Sequence, residues 1–454
     1  MFIDFLLERF DEEPGREAIV WRGESYSYGW LADRVRAWLD QVIPAGPPTG
    51  AVVALEADFS PNAIAGLLAL VKRGCTVAPI YRDTRADKAR FHKIAQVEFV
   101  VTIGAGDSAV IGTRQRVADH PLFLELRQRS HPGLVLFSSG TSGEPKGAVH
   151  DFTGLLEKFT TRRRAARMLQ FLLFDHIGGL NTLLYVLSNA GTIILAEERS
   201  PDAICRLIEM HRVEVLPTSP TFLNLMLVSE AHRRHDLRNL KRITYGTEPM
   251  PPSTLARLHR ELPSVELQQT YGLAEVGILR SKSRSDGSLW VKVGGEEFDT
   301  RVVNGILQIR ARSAMLGYLN APSPFTPDGW FDTGDQVETD GEYLRILGRA
   351  SEIINVGGEK VYPAEVESVL QEMDNVEAAT VYGEAHALVG QIVCAAVKLR
   401  SPEDERRLIV RLKVHCRDKL EPFKVPRKVI IAHEELYGER FKKVRASRVT
   451  GSPG

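Results

Sequence analysis

Only four cysteines, Cys75, Cys205, Cys394 and Cys416, occur in the 454 residues. They are far apart and form no C-x-x-C pair, so neither a zinc site nor a redox motif is indicated, and a reducing cytoplasm is the expected location. No apolar run approaches the roughly 18 to 20 residues that a membrane helix needs, which excludes a bilayer span. An excess of either charge is also missing: Lys+Arg and Asp+Glu both number 58. That balance removes the long-range attraction on which nucleic-acid binders rely. The N-terminal "MFIDFLLERFDEEP" carries acids where a signal peptide has a basic start, so it reads as a short amphipathic helix. No internal repeat or low-complexity tract is visible.

What is present is an ordinary globular composition, 43% hydrophobic and 26% charged, in a chain too long for one core. Residues 51–80 give a β-branched strand, a helix opening at Pro61-Asn62 and a second strand after Gly74. The same βαβ texture returns from Thr192, through a helix starting at Ser200-Pro201, to "VEVLPT". Alternation of this kind predicts mostly parallel, helix-covered sheets. After about residue 285 short strands and Gly turns predict a β-rich subdomain, with a hairpin turning at Asp340-Gly341. From "VYPAEVESVL" onward helix and strand alternate again, predicting a small α+β C-terminal domain that ends in a disordered "VTGSPG". The basic "TRRRAARM", Thr161 to Met168, reads as arginines on a solvated helix face.

The stretch "LFSSGTSGEPKGAVHDF" packs hydroxyls and glycines against one lysine, after an apolar strand and leading towards a helix. Small residues let backbone N–H groups converge on an anion, hydroxyls add donors and Lys146 adds charge, so phosphate is the expected guest. The nucleotide P-loop pattern is not met, because Pro145 precedes Lys146 and Gly147 follows it.

The segment Ser138-Ser139-Gly140-Thr141-Ser142-Gly143-Glu144-Pro145-Lys146-Gly147 resembles the [ST]-S-G-[ST]-[ST]-G-x-P-K-G signature of the adenylate-forming superfamily, which includes acyl-CoA synthetases, peptide-synthetase adenylation domains and luciferases. Further resemblances follow in the order of that family. "YGTEPMP" resembles its G-[GAT]-[AE]-P-[LM] loop, which implies that backbone at Gly246, Thr247 and Glu248 lines the adenine pocket. "TYGLAE" resembles Y-G-x-T-E, implying that Tyr271, beside Gly272, stacks on adenine and that Glu275 holds Mg²⁺ against the phosphates. Ala274 stands where Thr is frequent, and the hydroxyl of Thr270 is a candidate substitute. "DGWFDTGD" resembles G-W-[FL]-x-T-G-D, implying a ribose-binding Asp335.

"LGRASEIINVGGEKVYPAEVE" resembles the hinge region of the same family, typical of CoA ligases. It implies that Arg349 helps hold the ribose, that the chain pivots at Ser351, and that the loop carrying Gly357 and Gly358 forms a thiol channel. The implied division is an adenylation domain at 1–348, a hinge at 349–352 and a mobile lid at 353–454. "LYGERFKKVRAS" falls where the family has P-x-T-x-x-G-K-[IV]-x-R. Aligning Val444 with the [IV] makes Lys443 the catalytic lysine, leaves Lys442 at the Gly position and puts Arg445 one position early. "FLLFDHIGGLN" resembles P-L-F-H-x-x-G with an extra Asp175, implying His176 at the acyl end; Gly178 and Gly179 would leave space there. Leu225, Met226 and Leu227 are either pocket wall or ordinary core.

The resemblance implies an ATP- and Mg²⁺-dependent attack of a carboxylate on the α-phosphate, pyrophosphate release, and capture of the acyl-adenylate by a thiol, giving AMP. Two anions must approach, so charge neutralisation by Mg²⁺ on Glu275, by Lys146 and by Lys443 is the expected catalytic device. The thiol is that of CoA or of the phosphopantetheine arm of a separate carrier protein. A stand-alone carrier-loading enzyme and a degenerate adenylate-binding protein are the alternatives, the latter suggested by Ala274 and the eroded last motif.

Overall fold

Three Ser-Pro dipeptides, Ser60-Pro61, Ser200-Pro201 and Ser219-Pro220, each open a helix. The serine hydroxyl accepts the N–H of the third residue on, and proline occupies the first position, where no N–H is needed. The helices Pro61–Lys72 and Pro220–Val228 are buried almost all round, as expected of elements packed between sheets. The computed structural model describes residues 2–42, 46–84, 86–114, 116–139, 144–295 and 297–444. Gly140, Thr141, Ser142 and Gly143, Arg445 and the "VTGSPG" tail lie outside the described residues.

The large N-terminal part holds two seven-stranded sheets. One runs Glu266–Gln269, Arg242–Tyr245, Val215–Thr218, Arg167–Gln170, Thr192–Leu195, Glu17–Trp21 and Glu24–Ser27, parallel except at its last pair. The other is parallel from Gly133–Ser139 through Thr76–Tyr81 and Val52–Ala57 to Phe99–Ile103, with antiparallel strands at both ends. Strand Val52–Ala57 is buried throughout, which is why it reads as a continuous apolar run. A six-stranded antiparallel sheet follows, ending in the hairpin Phe331–Asp340 and Tyr343–Arg349. A smaller α+β unit then forms around Ile354–Val356, Glu359–Val361, Val376–His386, Gly390–Leu399 and Lys428–Ile431. Helices Pro363–Gln371 and Glu405–Arg417 contribute Val366, Leu370, Leu408 and Leu412 to its core.

Two local expectations change. Pro145–Asp151 is a strand paired antiparallel with Gly133–Ser139, Ser138 opposite Lys146, so a second strand comes between the glycine-rich stretch and the helix Phe152–Leu156. The arginine stretch carries no long helix: it runs as a connector into strand Arg167–Gln170. Arg162 pairs with Glu12 and Glu13, and Arg167 with Glu17, so these charges tie the chain to its N-terminal segment.

The small unit rests on the large one through helices Pro220–Val228 and Pro252–Glu261. Asn224 Nδ2 donates to the Glu377 carbonyl at 3.1 Å, and the hydroxyls of Ser253 and Ser368 lie 2.9 Å apart. All four cysteines are buried free thiols. Among the described residues no helix is long and apolar enough to cross a membrane.

Candidate active site

The hairpin pairing places Ser138 and Lys146 side by side at the mouth of the glycine-rich turn. Ser138 Oγ donates to Glu275 Oε1 at 3.0 Å, and the Tyr318 hydroxyl donates to the same oxygen at 2.8 Å. Lys146 Nζ stands 5.4 Å from the Tyr318 ring centroid, a cation–π distance. Both donors converge on Oε1, and among the described residues no hydrogen bond reaches Oε2. One carboxylate oxygen beside substrate phosphates is how Mg²⁺ is commonly held, so the residues fit that ion. Among the described residues no cluster of three or more His, Cys, Asp or Glu could hold a metal by itself. Ser139 pairs with Pro145 in the hairpin.

Glu275 is oriented from beneath. His150 Nε2 donates to the Ala274 carbonyl at 2.6 Å, and its ring is wholly buried; burial pushes its pKa below the ordinary range, keeping it neutral. Gly272 lies in a three-residue strand whose partner leaves no room for a side chain: a Cβ would meet the Gly277 carbonyl oxygen at 2.6 Å.

The second constellation is built on the hairpin pair Asp335 and Arg349. Arg349 Nε lies 3.0 Å from Asp335 Oδ1, the Tyr271 hydroxyl donates to Oδ2, and the Asp335 N–H donates to Thr333 Oγ1 at 3.0 Å. Burial raises the Asp335 carboxyl above the usual carboxylate range, against the pull of Arg349 and Tyr271. Burial, and then the Asp335 charge, push the Tyr271 phenol well up, so it keeps the proton it donates to Asp335. Tyr271 is therefore pinned through its hydroxyl to the carboxylate expected to take the ribose. Arg349 also feels Glu275, which joins the two constellations electrostatically.

Gly246 closes against Thr270: a Cβ would lie 2.7 Å from both the carbonyl oxygen and Oγ1 of that residue. The Thr270 hydroxyl donates to the Tyr245 carbonyl at 3.1 Å, so its proton is engaged with backbone. Thr247 adopts φ +76°, and its buried Oγ1 has no partner. Glu248 accepts from the Thr221 N–H at 2.8 Å and the Lys443 N–H at 3.3 Å, linking this loop to the C-terminal segment.

His176 caps helix Ile177–Ser188, its Nδ1 accepting from the Gly178 N–H at 3.0 Å. Burial, then the nearby Lys442 and Arg440 charges, hold the imidazole well below its usual pKa. It is therefore neutral with its hydrogen on Nε2, a donor. Gly178 and Gly179 serve packing, not pocket volume: Cβ atoms there would meet Leu172 Cδ1 at 2.7 Å and the Leu173 oxygen at 2.3 Å. Met226 and Leu227 are fully buried among Phe222, Leu223 and Leu216, which makes them core.

The two adjacent lysines diverge. Lys443 Nζ is 2.8 Å from Glu367 Oε2, with the Glu367 side chain fully buried and its Oε1 accepting from the Val381 N–H at 3.0 Å. That ammonium belongs to the interior of the small unit. Lys442 keeps accessible surface, yet lies within electrostatic reach of Glu248, Arg349, Asp335 and His176. Burial and then Arg440 hold its pKa below the ordinary lysine value. Phe441, just before it, adopts φ +48°, the left-handed region that favours glycine. A second register, with Phe441 at the Gly position of G-K-[IV]-x-R, puts Lys442 at the Lys, Lys443 at the [IV] and Arg445 at the Arg, an alternative to the alignment through Val444. Gly357 and Gly358, with φ +63° and +96°, form the exposed turn between Ile354–Val356 and Glu359–Val361, where the Gly358 N–H donates to Asn355 Oδ1 at 2.9 Å.

Tyr318, His150, Glu367 and Arg440 escaped the sequence reading. Tyr318 lies outside the quoted motifs, while His150, Glu367 and Arg440 lie inside them at positions given no role, and each of the four acts on a residue 43 to 265 positions away.

Residues 6–319 match the AMP-binding enzyme family and residues 365–440 the AMP-binding enzyme C-terminal domain. The chain is 28% identical to an indoleacetate–CoA ligase of Aromatoleum aromaticum, covering 96% of this chain and 95% of that protein. It is 24% identical to a 2-succinylbenzoate–CoA ligase of Enterococcus faecalis, with 94% of each covered. The crystal structure of the anthranilate CoA ligase AuaEII in complex with anthranoyl-AMP superposes with a TM-score of 0.81 at 18% identity, over 97% of this chain and 95% of that one. With more than half of its length matched, this chain belongs to the AMP-binding enzymes of the adenylate-forming superfamily.

Proposed function

We propose that this enzyme uses ATP to activate a carboxylic acid as its acyl-adenylate, releasing pyrophosphate, and then transfers the acyl group to the thiol of CoA. The observation that carries the reading is the meeting of two carboxylate constellations, Glu275 with Ser138 and Tyr318, and Asp335 with Tyr271 and Arg349, around one guanidinium faced by Lys442. Anions of opposite roles must meet there, and cationic groups fixed before the reaction lower its barrier by electrostatic preorganisation.

In this reading Asp335, held from one side by Arg349, takes the ribose hydroxyls, and the Tyr271 ring flanks the adenine. Gly246, Thr247 and Glu248 line the base edge. Lys146 with Ser138 and Ser139 holds the pyrophosphate end, and Gly140, Thr141, Ser142 and Gly143 complete that loop. Mg²⁺ arriving with the nucleotide supplies charge neutralisation at the phosphates, and Glu275 is the residue that would hold it. Lys442, in place of Lys443, stabilises the charge developing between the carboxylate and the α-phosphate. The neutral His176 donates from Nε2 toward the acid.

The division into 1–348, a hinge at 349–352 with its pivot at Ser351, and a lid at 353–454 belongs to the same proposal. The six-stranded sheet ends at Arg349 and the next begins at Ile354, leaving only the short turn Ala350–Glu352 between. Rotation there would withdraw Lys442 and bring the Gly357-Gly358 turn toward the acyl-adenylate. The free thiols fit a reducing, cytoplasmic location.

The test is pyrophosphate release with ATP and Mg²⁺ over a panel of acids, beginning with the aryl acids named in its relatives, with and without CoA. Acid-dependent release with thioester formed on CoA addition is the expected result. Adenylate formation with no turnover of CoA, restored by a carrier protein bearing phosphopantetheine, would instead make it a carrier-loading enzyme. ATP binding with no release on any acid would overturn the catalytic reading in favour of an adenylate-binding protein.

A further inference from the structure

Asp175, the residue inserted before His176, has no part in the chemistry above, but it has a partner 265 positions away. Its Oδ2 accepts from Arg440 at 2.8 Å, with the Asp175 side chain 14% exposed. Its other oxygen, Oδ1, is buried with no hydrogen-bond partner, so Arg440 is what compensates this carboxylate. Next in the chain, the Phe441 carbonyl accepts from Ser219 Oγ at 2.8 Å. The Phe441 ring lies 5.2 Å from Phe171 and 5.5 Å from Phe222, both in the large domain, and stacks on Tyr437 at 5.4 Å and 16°. Two residues further, the Lys443 N–H donates to Glu248. The segment 440–443 is thus anchored to the large domain before and after Lys442, through Asp175, Ser219 and Glu248, while the Lys443 ammonium turns to Glu367 of the small unit.

We propose that Asp175, Arg440 and Phe441 are positioning residues forming a latch that seats Lys442 in the adenylating orientation. The proposal rests on the acid-activating reading above. Phe441 tolerates left-handed backbone because its ring is gripped by Phe171 and Phe222 and its carbonyl by Ser219; glycine there would reach the same backbone without the grip. Because Asp175 adjoins the helix cap at His176, the latch closes on the same loop that would meet the acid. A shift in that loop would reach Lys442 through one ion pair. A latch of this kind favours the first half-reaction and slows departure of the lid for the second.

The test is a charge-swap cycle, Asp175→Asn, Arg440→Gln and the double variant Asp175→Arg/Arg440→Asp, together with Phe441→Gly. Two readouts separate position from mere folding. Hydrogen exchange of residues 436–444 needs no substrate: it rises in each single variant and in Phe441→Gly, and returns toward wild type in the swap. Acid-dependent ATP–pyrophosphate exchange falls by about tenfold in the single variants, as expected for loss of a partly buried charged pair, and recovers in the swap. Thioester formation from supplied acyl-adenylate is undiminished or faster in the single variants. Wild-type hydrogen exchange at 436–444 in both Asp175→Asn and Arg440→Gln would overturn the latch. If no acid supports exchange even in the wild-type enzyme, the activity reading fails while the hydrogen-exchange arm still decides the latch.

Discussion

Lys442 and Lys443 are neighbours in the chain and occupy different physical regimes. Lys443 is taken out of water against a fully buried carboxylate, Glu367, which has a second hydrogen bond from backbone. Lys442 keeps accessible surface near groups of both signs, and among the described residues no hydrogen bond or ion pair commits its charge to one partner. A committed ion pair holds a domain together and cannot be lent to a substrate; an uncommitted cation in a shaped cleft is suited to a charge that appears only during reaction. The same contrast separates the two carboxylate sites. Glu367 is spent on structure, whereas among the described residues no hydrogen bond reaches Glu275 Oε2.

Replacing each lysine is the strongest way to break this contrast. Lys442→Ala is expected to lower acid-dependent ATP–pyrophosphate exchange by about 10²- to 10³-fold, the usual loss on removing a preorganised charge-stabilising group, with the unfolding midpoint nearly unchanged. Lys443→Ala strands the Glu367 carboxylate in the interior and should cost the small unit about 3–5 kcal/mol, read by denaturant unfolding or by hydrogen exchange across 363–431. Adding Glu367→Gln to Lys443→Ala removes the stranded charge and should return a large part of that loss. If both lysine variants unfold alike, the division between them is wrong.

A third lysine sharpens the comparison. Among the described residues Lys158 Nζ has only neutral acceptors, Asn181 Oδ1 at 2.6 Å and the Ile278 carbonyl at 2.9 Å, and burial pushes it down to about 8. Below pH 8 the folded and unfolded states both carry the proton. Between 8 and the ordinary value of 10.5 the unfolded state binds more protons, so this group raises stability as pH rises. The change integrates to roughly 3 kcal/mol, and the difference between wild type and Lys158→Met across that window is the measurement. A flat difference would show that the ammonium is better solvated than its neighbours imply.

A smaller effect is expected at the ribose corner. Burial raises the Asp335 carboxyl and Arg349 opposes the rise, so Arg349→Gln should shift the pKa further upward. ATP affinity is expected to weaken as pH falls through that pKa, with the acid limb of the KM profile displaced to higher pH in the variant, by a few-fold in KM at pH 6. Tyr271→Phe, which also removes a donor from Asp335, should move the limb in the same direction.

Much of this was legible in the sequence because the relevant groups are adjacent in it. The βαβ units, the hairpin at Asp340-Gly341 and the pair Asp335 and Arg349 follow from turn residues and short-range alternation. Contacts that bring distant positions together were not legible. Tyr318 reaches Glu275 only because strand Gly317–Tyr318 adds to the edge of Pro145–Asp151, and nothing in the dipeptide announces that pairing. The lysine register was open in the sequence because Val444 fits an apolar position, while the observation that favours the other register is the left-handed backbone at Phe441, which a phenylalanine does not advertise. Thr161 to Met168 was read as a helix face because helix propensity is local, whereas two of its arginines, Arg162 and Arg167, are spent on Glu12, Glu13 and Glu17.

The most direct test of the account is acid-dependent ATP–pyrophosphate exchange measured side by side for wild type, Lys442→Ala and Lys443→Ala, at a temperature where all three are folded by circular dichroism. The account predicts exchange by wild type and by Lys443→Ala, and its near-complete loss in Lys442→Ala. Exchange that survives Lys442→Ala and vanishes in a folded Lys443→Ala would contradict it.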